Sequence, residues 1–141
     1  MAGTWIDISA VDGGSFRAYV ATPEVGSGPG ILLLQEIFGV NANIRELADY
    51  YAEEGYVVLA PDMFWRLEPN FVADFNIPEE RQAGMRHKAA IDHDKAMDDI
   101  AAAMSHLKSL PECNGRIGVT GFCTGGTLAY LAAARLKPDA A

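Results

Sequence analysis

The sequence lacks several features that would assign it to a specialised class of protein. It has no run of about 18 apolar residues, so we expect no membrane span. Residues 1–14 hold no basic region followed by an apolar stretch, so a signal peptide is not expected. Only two cysteines occur, Cys113 and Cys123, which are too few for a disulfide framework and lack C-x-x-C spacing. We therefore expect a reducing, cytoplasmic location.

Basic residues are also scarce. The 141 residues include 11 Lys and Arg against 19 Asp and Glu, which gives a net charge of −8. Binding to nucleic acid needs clustered Lys and Arg to neutralise phosphates, and no such cluster is visible, so nucleic acid is excluded as a partner. Half of the residues are apolar and 21% are charged, which is a globular composition. The length by itself fits one domain of ordinary size.

The order of the elements predicts an α/β protein. The first two strand-like runs flank Asp12-Gly13-Gly14, and a D-G turn of this kind indicates a hairpin. The later apolar runs are continuous, which is typical of strands buried on both faces of a parallel sheet. Helical periodicity separates them, so the sheet should be mostly parallel after an antiparallel start. The predicted strands cover residues 4–9, 16–21, 31–34, 56–60 and 116–120, and the predicted helices cover residues 43–54, 83–110 and 128–134.

Two further expectations concern exposure. The acidic residues of the long helix, Asp99 among them, should mostly face water, since Met97 and Ile100 belong to its apolar stripe. The last helix is apolar nearly all round and should be buried, with Tyr130 in the core.

The most informative segment is Gly121-Phe122-Cys123-Thr124-Gly125-Gly126. It follows a predicted strand and begins a predicted helix, which is the context of the nucleophile elbow of α/β-hydrolases. The glycines keep side chains out of a sharp turn, and the turn lifts Cys123 to the top of the sheet. The Thr124 N–H at the helix start can donate to a developing oxyanion. The alternative is that Cys123 is a small buried residue and the glycines only allow close packing.

Two other segments add to the elbow. Gln35-Glu36-Ile37-Phe38-Gly39 follows the first buried strand, and Ala60-Pro61-Asp62-Met63-Phe64-Trp65-Arg66 ends the second. With these three segments the chain, from about residue 4 onward, resembles the dienelactone hydrolase family (carboxymethylenebutenolidases). The resemblance implies an α/β-hydrolase fold with a three-layer αβα arrangement. It also implies an enzyme that hydrolyses a small cyclic enol-lactone ester during the breakdown of aromatic compounds.

The resemblance assigns roles to individual residues. Cys123 would be the nucleophile, and Glu36 would hydrogen-bond the resting thiol. The N–H groups of Ile37 and Thr124 would form the oxyanion hole, and Arg81 would bind a substrate carboxylate. Without the resemblance, Glu36 could be a solvated carboxylate at a strand end and Arg81 part of a surface ion pair. Phe38 could line a substrate pocket, although aromatic residues in such loops more often serve packing.

The catalytic set is incomplete in these 141 residues. The triad order in this fold is nucleophile, acid, histidine, yet no histidine follows Cys123 and Asp139 is the only later carboxylate side chain. We therefore expect residues 1–141 to be one hydrolase domain that is truncated after the elbow helix and inactive alone. No cofactor is implied. No metal site is expected, because the successive residues Asp92, His93 and Asp94 would point apart on a helix.

Several functions compete at this stage. The leading one is cysteine-dependent hydrolysis of a lactone or ester that bears a carboxylate. A related α/β-hydrolase acting on another ester is the second, and an inactive fragment or non-catalytic binding protein is the third. A redox pair of Cys113 and Cys123 is weak, because the two flank one predicted strand and would lie roughly 20 Å apart at the rise of a strand. For the complete protein a monomer is favoured.

Overall fold

The computed structural model describes residues 3–141 as a five-stranded sheet with helices on both faces. Every predicted strand is present, with ends that shift by a few residues. The strands are β1 (Thr4–Ser9), β2 (Ser15–Ala21), β3 (Gly28–Leu34), β4 (Val57–Pro61) and β5 (Cys113–Gly121); the helices are α1 (Ala42–Glu53), α2 (Pro78–Ala90), α3 (His93–Ser109) and α4 (Thr124–Arg135).

The predicted antiparallel start and parallel continuation are confirmed. The sheet order is β1-β2-β4-β3-β5. β2 pairs antiparallel with both β1 and β4, whereas β3 pairs parallel with β4 and β5. In the β3–β5 pair Leu34 lies opposite Gly121, so these two strands end at the same edge of the sheet.

The sheet is buried on both faces because its central strands are apolar on both sides. On one face α1 packs through Ile44 and Ala48 against a cluster that includes Leu33 and Val58. On the other face α3 and α4 cover a larger cluster around Leu32. This arrangement explains the uninterrupted apolar runs, since a strand covered by helices on both sides has no face left for polar residues.

The single long helix predicted over residues 83–110 is wrong: the segment contains α2 and α3. The chain is extended at Ile91, with φ −66° and ψ 133°, and α3 then begins after Asp92. The Asp92 side chain accepts a hydrogen bond from the Lys95 N–H at 3.1 Å, which caps α3. A capping aspartate inside an otherwise helical pattern thus marks the boundary.

Two expectations about exposure are also wrong. Asp99 is only 2% exposed, because its carboxylate accepts hydrogen bonds from Trp65 Nε1 at 2.9 Å and from the Arg66 guanidinium at 2.8 and 3.0 Å. Tyr130 is 75% exposed, because α4 buries only one face, the one that carries Leu128 and Ala132.

Two other observations complete the fold. Just after α4, Ala140 pairs parallel with Gly118 of β5, and Asp139 accepts a hydrogen bond from the Ile117 N–H at 2.8 Å. Across residues 3–141, none of the helices combines the length and the apolar character that crossing a bilayer requires.

Candidate active site

Cys123 occupies a strained turn between β5 and α4. Its backbone has φ 58° and ψ −119°, in the region of positive φ that residues other than glycine rarely adopt. The side chain is exposed at the end of the strand, one residue before the helix begins. The interpretation of Cys123 as a buried packing residue is therefore wrong. A strained and exposed residue at a strand-to-helix turn is typical of a nucleophile elbow.

The two glycines beside the elbow are required by close backbone approach. A Cβ on Gly121 would lie 2.3 Å from the Gly125 carbonyl oxygen, which is inside the turn itself. A Cβ on Gly125 would lie 2.2 Å from the Leu34 carbonyl oxygen and 2.6 Å from that of Gln35. The first turn of α4 therefore rests directly on the end of β3. This contact brings the elbow next to the segment that follows β3.

Some backbone N–H groups at this edge of the sheet have no hydrogen-bond partner within residues 3–141. They include those of Ile37, which follows β3, and of Thr124, the first residue of α4. Both residues are buried, at 6% and 3% exposure. Unpaired N–H groups are costly in a buried segment, so donors of this kind are expected where an acceptor is to bind. The positive end of the α4 dipole adds to the attraction of an anion.

Glu36 lies at the same edge. It is half-buried and stands two residues beyond Leu34, as Cys123 stands two residues beyond the paired Gly121. The Glu36 backbone carbonyl accepts a hydrogen bond from the Gly39 N–H at 3.3 Å, which closes a tight turn. Gly39 has a φ of 80°, and a Cβ there would meet the Phe71 carbonyl oxygen at 2.0 Å. The turn therefore packs closely between the sheet and the loop after β4.

Gln35 is a residue of this site that the sequence interpretation did not single out. Its side chain is completely buried and hydrogen-bonded at both ends of the amide, to Met63 N and to the Glu36 carbonyl oxygen. The available signal was a polar residue directly after the apolar run of β3.

Arg81 lies on the first turns of α2, and its side chain is turned back along the chain. The Arg81 Nη1 group donates to the Phe75 carbonyl oxygen at 2.9 Å in an exposed position. The helix itself lies directly against the turn of residues 36–39, because a Cβ on Gly84 would lie 2.2 Å from the Ile37 carbonyl oxygen. Arg81 is therefore carried by an element that touches the site, while its guanidinium is anchored at the preceding loop.

Phe38 is half-buried within an aromatic cluster. Its ring meets that of Phe75 edge to face, with centroids 6.2 Å apart, and it packs against the buried Phe64 and Phe71. Phe38 therefore packs within this cluster, and its role in lining a substrate pocket stays a prediction. A groove of about 430 Å³ lies beside the elbow helix, between α2, α3 and α4, and is lined by Met85, Lys88, Ala89, Ile91, His93, Thr124, Thr127 and Leu128.

The remaining titratable candidates lie elsewhere. His87 Nε2 is 3.0 Å from a Glu68 carboxylate oxygen and packs against the Phe71 ring, so it ties α2 to the loop after β4. Asp139 binds the Ile117 N–H, four residues before Gly121, which places it about 13 Å along β5 from the elbow at the rise of a strand. Asp139 is therefore not placed to orient a base at Cys123.

Comparison with known proteins identifies the family. The sequence profile of the dienelactone hydrolase family matches residues 16–141, which is most of the chain. The chain belongs to the dienelactone hydrolase family. A relative named carboxymethylenebutenolidase 1, from Cupriavidus pinatubonensis, is 35% identical over 139 residues. That alignment covers 99% of this chain and 59% of the relative, so this chain spans little more than half the length of the curated relatives it matches.

Solved structures agree with this family and its fold. A crystal structure from Klebsiella pneumoniae assigned as a dienelactone hydrolase superposes with a TM-score of 0.75 at 29% identity, covering 96% of this chain and 56% of the other. An alpha/beta hydrolase from a Penicillium species gives a TM-score of 0.73 at 19% identity, covering 96% and 42%. The architecture is thus that of an α/β-hydrolase, as the elbow and the mixed sheet predicted.

Proposed function

We propose that residues 1–141 form the N-terminal part of a single dienelactone hydrolase domain, and that the complete protein hydrolyses a small lactone ester with Cys123 as its nucleophile. The observation that carries the proposal is the strained, exposed Cys123 at the start of α4, beside the N–H groups of Ile37 and Thr124, which have no hydrogen-bond partner among the described residues. The names of the curated relatives support the substrate class.

The chemistry follows the general course of acyl transfer. The Cys123 thiolate attacks the carbonyl carbon of the lactone, and the carbonyl oxygen becomes an oxyanion in the tetrahedral intermediate. The N–H groups of Ile37 and Thr124 donate to that oxyanion. Collapse of the intermediate expels the ring oxygen as an enolate and leaves a thioester on Cys123, which water then hydrolyses. The acid and the histidine base of the triad lie in the part of the domain that this chain does not span.

Glu36 regulates the thiol in this proposal. Its carboxylate, half-buried at the edge of the sheet beside the elbow, accepts a hydrogen bond from the resting Cys123 thiol until substrate displaces it. No cofactor is required, because the proposed nucleophile and the oxyanion donors are supplied by the chain itself.

The test uses the full-length protein and a dienelactone substrate. We expect Cys123→Ala to lower kcat/KM by at least about a thousandfold, because the covalent route is lost. Cys113→Ala is the matched control: it removes the other free thiol, at the far end of β5, and should keep activity within about twofold. A Cys123→Ala variant with normal turnover would contradict the proposal.

One observation favours a second candidate, an esterase indifferent to a carboxylate on its substrate. Arg81 is the proposed anchor of that carboxylate, yet its Nη1 group is already bound to the Phe75 carbonyl oxygen. Comparison of Arg81→Met with the wild-type protein on carboxylate-bearing and neutral esters separates the two. If Arg81 anchors the carboxylate, Arg81→Met should raise KM for the charged ester alone. If the variant and the wild-type protein have the same kinetics on each ester, the second candidate is supported.

A further inference from the structure

We propose that Gln35 is a positioning residue that aims and polarises the Ile37 N–H of the oxyanion hole. The inference rests on the proposed function, since it assumes that this N–H receives the negative charge that develops during acyl transfer.

The side chain of Gln35 is held firmly in place. Its side chain has 0% exposure, and its amide bridges two neighbouring parallel strands just beyond their ends. Oε1 accepts from the Met63 N–H at 2.8 Å, and Nε2 donates to the Glu36 carbonyl oxygen at 3.2 Å. The orientation of the amide is fixed by chemistry, because a backbone N–H can only donate and a carbonyl can only accept.

Gln35 binds the peptide group between Glu36 and Ile37. The Glu36 carbonyl and the Ile37 N–H belong to the same planar peptide unit, which is trans. In a trans peptide the C=O and N–H bonds point in opposite directions. A hydrogen bond that fixes the carbonyl on one side therefore fixes the direction of the N–H on the other. Hydrogen bonds in a chain also polarise one another, so a donor on the carbonyl makes the N–H a stronger donor.

Other contacts surround that peptide group. The Gly39 N–H gives the Glu36 carbonyl a second, longer hydrogen bond at 3.3 Å, and α2 presses on the next carbonyl at Gly84. These contacts hold the turn from two sides, and Gln35 ties it to Met63, two residues beyond the end of β4. Within residues 3–141 the Ile37 N–H itself is unpaired, so the bonds to its peptide group leave it available as a donor.

The test compares Gln35→Met and Gln35→Glu in the full-length protein. Met fills similar space but neither donates nor accepts a hydrogen bond, so we expect kcat to fall about thirtyfold, less than for deletion of an oxyanion donor, with KM within about threefold. Alkylation of Cys123 by iodoacetamide develops no oxyanion, and its rate should stay within about threefold of wild type. If Gln35→Met folds, as judged by circular dichroism, and keeps wild-type kcat, the proposal is overturned.

Gln35→Glu provides the conservative rescue. A protonated carboxylic acid can both accept from the Met63 N–H and donate to the Glu36 carbonyl, whereas a carboxylate can only accept. The ratio of variant kcat to wild-type kcat should therefore rise at least fivefold between pH 8 and pH 5. A ratio that does not change with pH overturns the proposal, even if Gln35→Met fails to fold. An active Cys123→Ala variant would instead refute the proposed function, so the two failures are distinguishable.

Discussion

Replacing Gly125 by alanine tests whether α4 rests on the end of β3 as closely as the elbow requires. Both Gly125 and the adjacent Gly126 lie in the first turn of α4, where alanine is intrinsically favoured over glycine by about 1 kcal/mol. Their surroundings differ. A Cβ on Gly125 would meet the Leu34 carbonyl oxygen at 2.2 Å, whereas a Cβ on Gly126 finds its nearest neighbour at 3.4 Å, an ordinary contact.

The magnitude follows from these distances. To relieve the clash, α4 must move until a Cβ on Gly125 lies at least 3.4 Å from the Leu34 carbonyl oxygen, compared with 2.2 Å now. The Leu34 atoms in the way belong to the backbone of β3, so they cannot rotate aside. Overpacking of this kind costs about 3 kcal/mol at the upper end of its usual range. After the gain in helix propensity, Gly125→Ala should lose about 2 kcal/mol in the free energy of unfolding. Gly126→Ala should gain up to about 1 kcal/mol.

The assay is urea denaturation of the full-length protein followed by far-ultraviolet circular dichroism. With a slope of about 2 kcal/mol per molar urea, the two variants should differ by about 1.5 M in their unfolding midpoints. The Gly125→Ala variant should also lose activity, because the shift moves Thr124 away from Ile37. Equal midpoints for the two variants would refute the close contact between α4 and β3.

Two further predictions concern charges. Arg66→Met should reduce the free energy of unfolding by about 3 kcal/mol, because it leaves the buried Asp99 carboxylate with Trp65 Nε1 as its remaining partner. Asp12→Asn is the matched control in the same urea titration, since it removes only the exposed end of the Arg66 bridge; an equal loss in both variants would contradict the buried pair. Burial raises the pKa of Asp62 above its ordinary 3.8, despite hydrogen bonds from the Asn70 and Phe64 N–H groups, so the folded state holds that proton more tightly than the unfolded chain does. Asp62 therefore contributes less to the free energy of unfolding as pH rises from 3.8 through its raised pKa. Because an asparagine side chain cannot titrate, the Asp62→Asn variant should become more stable relative to wild type over the same pH range. Urea midpoints measured from pH 3 to pH 7 check this, and a difference between the two proteins that is constant with pH would refute it.

Much of the fold could be predicted because local patterns agreed with it. The Asp12-Gly13-Gly14 turn sets the first hairpin, and apolar runs without polar alternation set the buried parallel strands. The prediction of one long helix over residues 83–110 was wrong because the apolar periodicity continues through the capping residue Asp92. The burial of Asp99 could not be foreseen, because its partners Trp65 and Arg66 lie more than 30 positions away.

The candidate site, like the fold, could be predicted from the sequence only in part. The glycine spacing of residues 121–126 and its place between a strand and a helix were enough to predict a sharp turn at Cys123, since these depend on neighbours along the chain. The positions of Glu36 and Ile37 beside the elbow depend on the pairing of β3 with β5, and the anchoring of Arg81 at Phe75 depends on how the loop before α2 folds. The resemblance proposed the set, and the pairing of β3 with β5 brings the segment after β3 and the elbow to one edge of the sheet.

The sequence by itself determined the order of the elements, the turn that strains Cys123 and the family to which the chain belongs. Each of these depends on short segments of residues that are neighbours along the chain. Tertiary structure alone decided that Gly125 touches the end of β3 and that Gln35 joins two strand ends. It also decided that the Ile37 and Thr124 N–H groups find no partner in the part of the chain that the structure describes. The physical reason is that hydrogen bonding and close packing between distant segments depend on register and on distance, and neither is encoded in a local pattern.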